Sequence, residues 1–165
     1  MLVRFLRKQW LRFITFFALI APTVGTRVLL NKMKGVQLGD SAWIGGFVFL
    51  DIHHSHPDRK NSLVLGSHVA IGNYASIYTH DSLYNQVTEG RDPVEFGQVV
   101  VGDYVNISPN TFIYNSTIGH HSIVAPLSMV VNSHFPPYSL IAGNPAKVVK
   151  DLQTHIEGQA APDDA

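Results

Sequence analysis

The side chains best suited to moving a proton near neutral pH are nine histidines, and three groups of them stand out. His80 is followed at once by Asp81 in the run IYTHDS (77–82). His53, His54 and His56 precede Pro57-Asp58-Arg59-Lys60, and His120 and His121 are adjacent. An imidazole with an ordinary pKa of about 6.5 can take a proton from a hydroxyl, provided another group fixes its tautomer. Histidine can also ligate metal, but a structural zinc wants four ligands in tetrahedral reach, which spacing alone does not supply. Cysteine is absent, which excludes a disulfide framework, a Cys-based zinc site and a cysteine acyl-enzyme.

These residues need a scaffold, and the composition says what kind. The chain has 165 residues, 45% of them hydrophobic, enough for one domain with a core and too apolar for a disordered protein. Twelve basic and twelve acidic residues cancel, but unevenly: residues 1–34 hold seven basic residues and no acid, leaving the remainder at a net −7. A body that negative excludes nucleic acid as a partner, because neutralising phosphates requires clustered Lys and Arg.

The basic end, residues 1–34, reads as an amphipathic helical segment. On a helical wheel over residues 2–20, Arg4, Arg7, Lys8 and Arg12 share one arc of roughly 140°, with Leu6, Trp10, Phe13 and Phe17 on the other side. Such a helix suits a membrane interface, where aromatic side chains sit at headgroup depth. The apolar stretch from Phe13 to Gly25 is too short to span a bilayer and contains Pro22. The competing readings are a cleaved signal peptide, for which no small-x-small site stands out, and packing on the body or another subunit.

The body, residues 35–150, is a repeat of period six. Its blocks are Leu38-Gly39, Ile44-Gly45, Leu50-Asp51; then Leu65-Gly66, Ile71-Gly72, Ile77; then Val101-Gly102, Ile107-Ser108, Ile113; then Ile118-Gly119, Val124-Ala125, Val130. A small or β-branched residue follows four places after most aliphatics, for example Val69, Ala75, Val105 and Ser122. A helix wants spacings of three and four and a hairpin strand wants alternation, so neither fits. The aliphatics are expected to stack in columns, with Gly and Asn making tight corners. Residues 52–62 and 82–98 break the period and read as projecting loops, where binding groups tend to sit. Residues 151–165 form a polar tail, expected to fray from about His155.

The repeat resembles the hexapeptide-repeat proteins, which implies an all-β fold: a left-handed parallel β-helix, here with an N-terminal amphipathic helix and projecting loops. The run PPYSLIAGNPAKVVK (136–150) looks like the closing segment of hexapeptide acyltransferases, above all the maltose, galactoside and nodulation-type O-acetyltransferases. TRVLLNKMKGVQLGDSAWIG (26–45) resembles the lead-in of membrane-linked polysaccharide acetyltransferases, and IYTHDS resembles the segment holding that family's catalytic histidine.

The resemblance implies an acetyl-CoA-dependent O-acetyltransferase acting on a sugar hydroxyl of a glycan or lipid-linked saccharide, with His80 as general base. Asp81 is the adjacent carboxylate, although chain neighbours often point apart. Asp51 could approach from the neighbouring coil and aligns with an acceptor-binding position of the family, as does Asn106. Donor contacts are implied at Ser108, Ala125, Pro126, Ala142 and Gly143, with Lys147 and Lys150 near the coenzyme A phosphates. The chain departs from the family pattern at Asn106, where an aromatic is usual, at Ser108 in place of Gly, and at Ala125-Pro126-Leu127 along the pantetheine path. No metal is expected. A homotrimer with shared sites is implied, at the inner face of the cytoplasmic membrane if residues 2–20 bind lipid. Two other classes compete: a metal enzyme like the γ-carbonic anhydrases, using His80 with His120 or His121, and a non-catalytic β-helix subunit.

Overall fold

The computed structural model describes residues 2–158. Residues 159–165, the end of the expected polar tail, and the side chains of Arg4 and Arg7 lie outside what is described. Two helices come first, α1 (Leu2–Ile20) and α2 (Val24–Lys34), so the basic segment is broken at Pro22 rather than continuous. The coils follow. The first holds β1 (Gln37–Leu38), β2 (Trp43–Ile44) and β3 (Phe49–Leu50), and the second β4 (Leu63–Leu65), β5 (Ala70–Ile71) and β6 (Ser76–Tyr78). An excursion carries β7 (His80–Asp81), α3 (Leu83–Val87) and β8 (Glu95–Phe96). The third coil is β9 (Val99–Val101), β10 (Asn106–Ile107) and β11 (Phe112–Tyr114), and the fourth β12 (Ser116–Ile118), β13 (Ile123–Val124) and β14 (Met129–Val131). β15 (His134–Phe135) and β16 (Ser139–Gly143) begin a fifth coil, on which β17 (Ala146–Asp151) folds back antiparallel before α4 (Gln153–Glu157).

Successive coils pair strand on strand in parallel, giving three faces with the orders β1-β4-β9-β12-β15, β2-β5-β10-β13-β16-β17 and β3-β6-β11-β14. The chain is a left-handed parallel β-helix. The period of six is the reason: one side chain per face points inward, and like positions fall in register. Ile44, Ile71, Ile107, Val124 and Ile141 form one such column, none more than 1% exposed, so the column is closed to bulk solvent along its length.

The corners differ from the sequence expectation. Gly39, Gly66 and Gly102 have ordinary negative-side backbone, and the left-handed conformation falls two residues later, on Ser41, His68 and Tyr104. The glycines are needed for close approach instead. A Cβ on Gly66 would lie 2.7 Å from the carbonyl carbon of Gly102, and one on Gly102 would lie 2.6 Å from the His120 nitrogen. The left-handed residues are compensated by stacking: His68 on Tyr104 at 4.5 Å, Tyr104 on His121 at 4.9 Å and His121 on Tyr138 at 5.2 Å between ring centroids. His121 thus belongs to a structural ladder, and His120 packs edge-on against it and Tyr138.

The helices close the first coil. Inside the stack each inward-facing strand carbonyl accepts from the coil before it, as Ile71 does from Gly45 N–H and Ile77 from Asp51 N–H. Ile44 and Leu50 have no earlier coil; Arg27 Nε donates to the Ile44 carbonyl at 2.7 Å, and Lys34 Nζ donates to the Leu50 carbonyl. Thr23 and Thr26 form a capping box that starts α2, and Gly35 in the left-handed region ends it, fixing where Lys34 points. Ile14, Ala18 and Ala21 of α1 and the turn after it are buried. Among the described residues no helix is long and apolar enough to cross a membrane. β17 continues through Asp151, and Leu152, just before α4, is buried, so regular structure extends beyond residue 150.

Two outcomes follow. Gly102→Ala is expected to destabilise by about 1–3 kcal/mol because the next backbone must move, whereas Gly46→Ala, whose Cβ would meet nothing closer than 4.0 Å, should stay within about 0.5 kcal/mol; urea unfolding measures both. Burial lowers the Lys34 pKa to about 8, partly offset by Asp51. From pH 8 to 10.5 the unfolded chain keeps the Lys34 proton that the native state has released, so stability rises with pH across this window, by on the order of 3 kcal/mol. Thermal melts across pH 8–10.5 should show this rise in the native chain relative to Lys34→Met, which lacks it.

Candidate active site

The two segments that break the period leave the stack at the same corner, after the third face. The exit of the second coil rests on that of the first: Asp51 N–H donates to the Ile77 carbonyl at 2.8 Å, and buried Thr79 Oγ1 donates to the Asp51 carbonyl at 3.2 Å. This register brings His80 to Asp51, with Nδ1 2.6 Å from Oδ2 and both side chains about one-fifth exposed, at 21% and 19%. An Nδ1–H donating to the carboxylate leaves Nε2 as the basic nitrogen, which has no hydrogen-bond partner among the described residues.

Asp81, the other carboxylate expected beside His80, turns away. Its Oδ1 accepts from the Leu83 N–H at 2.8 Å and so opens the short helix α3. The reason is the strand conformation of β7, in which consecutive side chains alternate sides.

Both excursions wall the pair. β7 pairs antiparallel with β8, setting Phe96 opposite His80. The His53 ring lies 4.5 Å from His80 and 5.5 Å from Phe96, and His56 bonds the Gly97 carbonyl through Nε2 at 2.9 Å. Tyr78 lies 6.3 Å from His80, its hydroxyl pKa raised by burial and by the Asp51 charge. Burial and the neighbouring His80 push His53 down, keeping it neutral near pH 7. His53 belongs to the projecting loop 52–62 and packs against the pair.

A cavity of about 480 Å³ adjoins this pair, between α1 and the exit of the first coil. Asp51, His53 and His54 line one side, and Lys8 and Arg12 of α1 the other. Lys34, Phe49 and Ile52 also line it, with Leu11, Phe16 and Leu19 supplying an apolar wall from the helix. Desolvation, then Lys8 and Arg12, lower the His54 pKa. The cationic arc of α1 runs directly into its buried Ile14 and Ala18, so Lys8 and Arg12 face the body. Sequence reasoning identified the arc but had no signal for the direction it faces.

The expected donor residues form a second group. Ser108, Ala125 and Ala142 follow the Ile107, Val124 and Ile141 column and stack at one corner: Ser108 N–H donates to Val124 and Ala125 N–H to Ile141. Exposed Pro126 follows that corner. Exposed Gly143, Lys147 and Lys150 lie on the closing hairpin, where Lys147 pairs with Ala142 and Lys150 with Leu140. Asn106 is exposed on the second face between Ala70 and Ile123. These positions belong to the second face and the corner after it, and His80 to the corner after the third, so one chain does not assemble them around His80. Among the described residues no three His, Cys, Asp or Glu side chains are grouped to hold a metal ion, and His120 and His121 contact each other rather than His80.

Compared by sequence, the chain matches no protein-family model and no curated protein. Compared by structure, it is similar to a hexapeptide-repeat acetyltransferase from Vibrio cholerae, at 23% identity and TM-score 0.69 over 90% of this chain and 92% of that one. It is also similar to a maltose O-acetyltransferase from Clostridium difficile, at 15% identity and TM-score 0.70 over 91% and 88%. A galactoside acetyltransferase in complex with coenzyme A matches at 17% identity and TM-score 0.67 over 95% and 86%. The columns, corners and closing hairpin are therefore those of a known architecture: this chain has the fold of the hexapeptide-repeat acetyltransferases.

Proposed function

We propose that the chain is an acetyl-CoA-dependent O-acetyltransferase that acetylates a hydroxyl of a glycan or lipid-linked saccharide, in polysaccharide biosynthesis. The observation that carries this reading is the His80–Asp51 pair, at 2.6 Å. The carboxylate holds the imidazole in the tautomer that presents Nε2 as base and stabilises the imidazolium once formed. The acceptor hydroxyl gives its proton to Nε2 as its oxygen attacks the thioester carbonyl carbon. The tetrahedral intermediate collapses with cleavage of the C–S bond, and the leaving thiolate takes the proton from His80. The products are an acetyl ester and coenzyme A. Asp51 acts in this scheme as the orienting carboxylate rather than an acceptor ligand, and Asp81 has no part in it. Neighbours of the same fold bind the donor: the Vibrio cholerae protein has a structure complexed with acetyl-CoA, and the galactoside enzyme one with coenzyme A.

The separation of the two groups supports shared sites in a homotrimer. A neighbouring subunit's Ser108–Ala125–Ala142 corner, with Lys147 and Lys150 for the donor phosphates, would complete the site at His80. The exposed Leu83, Tyr84 and Val87 on the excursion after His80 supply an apolar surface for that contact. The side of α1 away from the body keeps Trp10, Phe13, Phe17 and Ile20 exposed, which supports interfacial contact with the inner face of a cytoplasmic membrane.

His80→Ala is expected to lower kcat by about 10²–10⁴-fold while leaving acetyl-CoA affinity unchanged, measured by thiol release and calorimetric titration. Unchanged turnover would refute the base assignment, and absence of acetyl-CoA binding by folded protein would refute the transferase reading. Replacing Trp10 and Phe13 together with Ser should weaken flotation with anionic phospholipid vesicles at least tenfold without changing the melting temperature. Equal flotation would remove the membrane contact.

A further inference from the structure

The cavity between α1 and the first coil has a charge pattern that the proposed reaction does not require. Acetyl transfer to a neutral hydroxyl needs His80, Asp51 and a donor. It does not need Lys8 and Arg12 aimed from a separate helix into the cavity that Asp51 and His53 line. Asp51 is the one carboxylate among its described lining residues, and it is already paired with His80. Among the described lining residues, Lys8 and Arg12 therefore have no further carboxylate to neutralise them, while burial and the nearby cations lower the His54 pKa. Lys8 is half-buried and Arg12 exposed beside the cavity; neighbouring cations repel one another, and an anion seated between them relieves that cost.

We propose that the acceptor is an anionic saccharide, a glycosyl phosphate, whose phosphate is held by Lys8 and Arg12 while its sugar hydroxyl reaches His80 past His53. This rests on the transferase reading and narrows its acceptor. A guanidinium and an ammonium together suit a phosphate, the first by its planar fork and the second as a point charge. The volume of about 480 Å³ lies within the range of small-molecule sites, about 300–1,000 Å³. Apolar Leu11, Phe16 and Leu19 line the same helix face, so the phosphate substituent beyond the sugar would lie along hydrocarbon. A phosphodiester to a lipid and a free sugar phosphate share the recognition chemistry.

The test is calorimetric titration of the full chain in detergent. Glucose 1-phosphate, galactose 1-phosphate and N-acetylglucosamine 1-phosphate are each compared with the parent sugar. At least one phosphate is expected to bind ten or more times more tightly than its sugar. The Lys8→Gln/Arg12→Gln variant should lose that tenfold preference, and Lys8→Arg/Arg12→Lys should keep it, with acetyl-CoA affinity equal in all three. Both cations lie outside the buried core, and a melt of each variant checks that the fold is kept. If no phosphate outbinds its sugar, the proposal is overturned. It is equally overturned if the Gln variant loses acetyl-CoA affinity instead, because the cations would then serve the donor. Phosphate preference without acetyl-CoA binding would sustain the anion site while the transferase reading fails. Comparing farnesyl and methyl phosphodiesters of the preferred sugar separates the sources: tighter farnesyl binding assigns a lipid-linked acceptor, and equal binding a soluble one.

Discussion

Each coil rests on the next through backbone hydrogen bonds that recur at like positions, from Gly45 to Ile71, Gly72 to Ile107 and Ser108 to Val124, at 2.7–2.9 Å. This contact distance governs the rest of the molecule. It favours small residues at these corners and glycine at the tightest of them, such as Gly66 and Gly102, and it places the left-handed conformation two residues later, where at several coils a ring stacks on the ring of the next coil. It also aligns the inward side chains without freedom to slip, because a shift by one residue would turn every aliphatic outward. An insertion between coils must therefore leave and return at one corner without disturbing the register on either side. Residues 52–62 and 82–98 do this, and Asp51 and His80 stand at the two departure points.

The period of six made the interior legible from sequence. It places Leu50 and Ile77 in the same column, and that alignment is what brings Asp51 and His80 together although they are 29 residues apart. It could not choose between Asp51 and Asp81, because the choice depends on strand alternation at β7, a strand created by pairing with β8 across the excursion. The glycines were recognised for the wrong physical reason, since spacing reveals that a residue must be small without saying whether torsion or contact demands it. The helical wheel likewise found the cationic arc of α1. A wheel has no reference direction until packing supplies one, and Ile14 and Ala18 turn that arc toward the site.

The N-terminal helices combine three roles that a sequence reader would assign to separate segments. Arg27 and Lys34 complete the hydrogen bonding of the first coil, α1 roofs a cavity beside the proposed base, and the outer side of α1 remains apolar. Lys34 couples the first two, since it bonds the Leu50 carbonyl and lines the cavity next to Asp51. Its burial is costly for an ammonium, and the bond it makes is one that no backbone group is available to make.

A stack of parallel coils is by nature an object without an intrinsic length, presenting at each end the same unsatisfied edge that lets cross-β assemblies grow into fibres. In this chain the two ends are stopped by unlike devices: cationic side chains from α2 at the first coil, and the reversed strand β17 at the last. Neither device resembles a coil, so the faces they cover present no coil-like edge to another chain. The same arrangement makes the number of coils a free variable. Whole coils inserted between the fourth coil and the closing hairpin would lengthen the columns while leaving both stoppers, and the Asp51–His80 pair near the first of them, as they are.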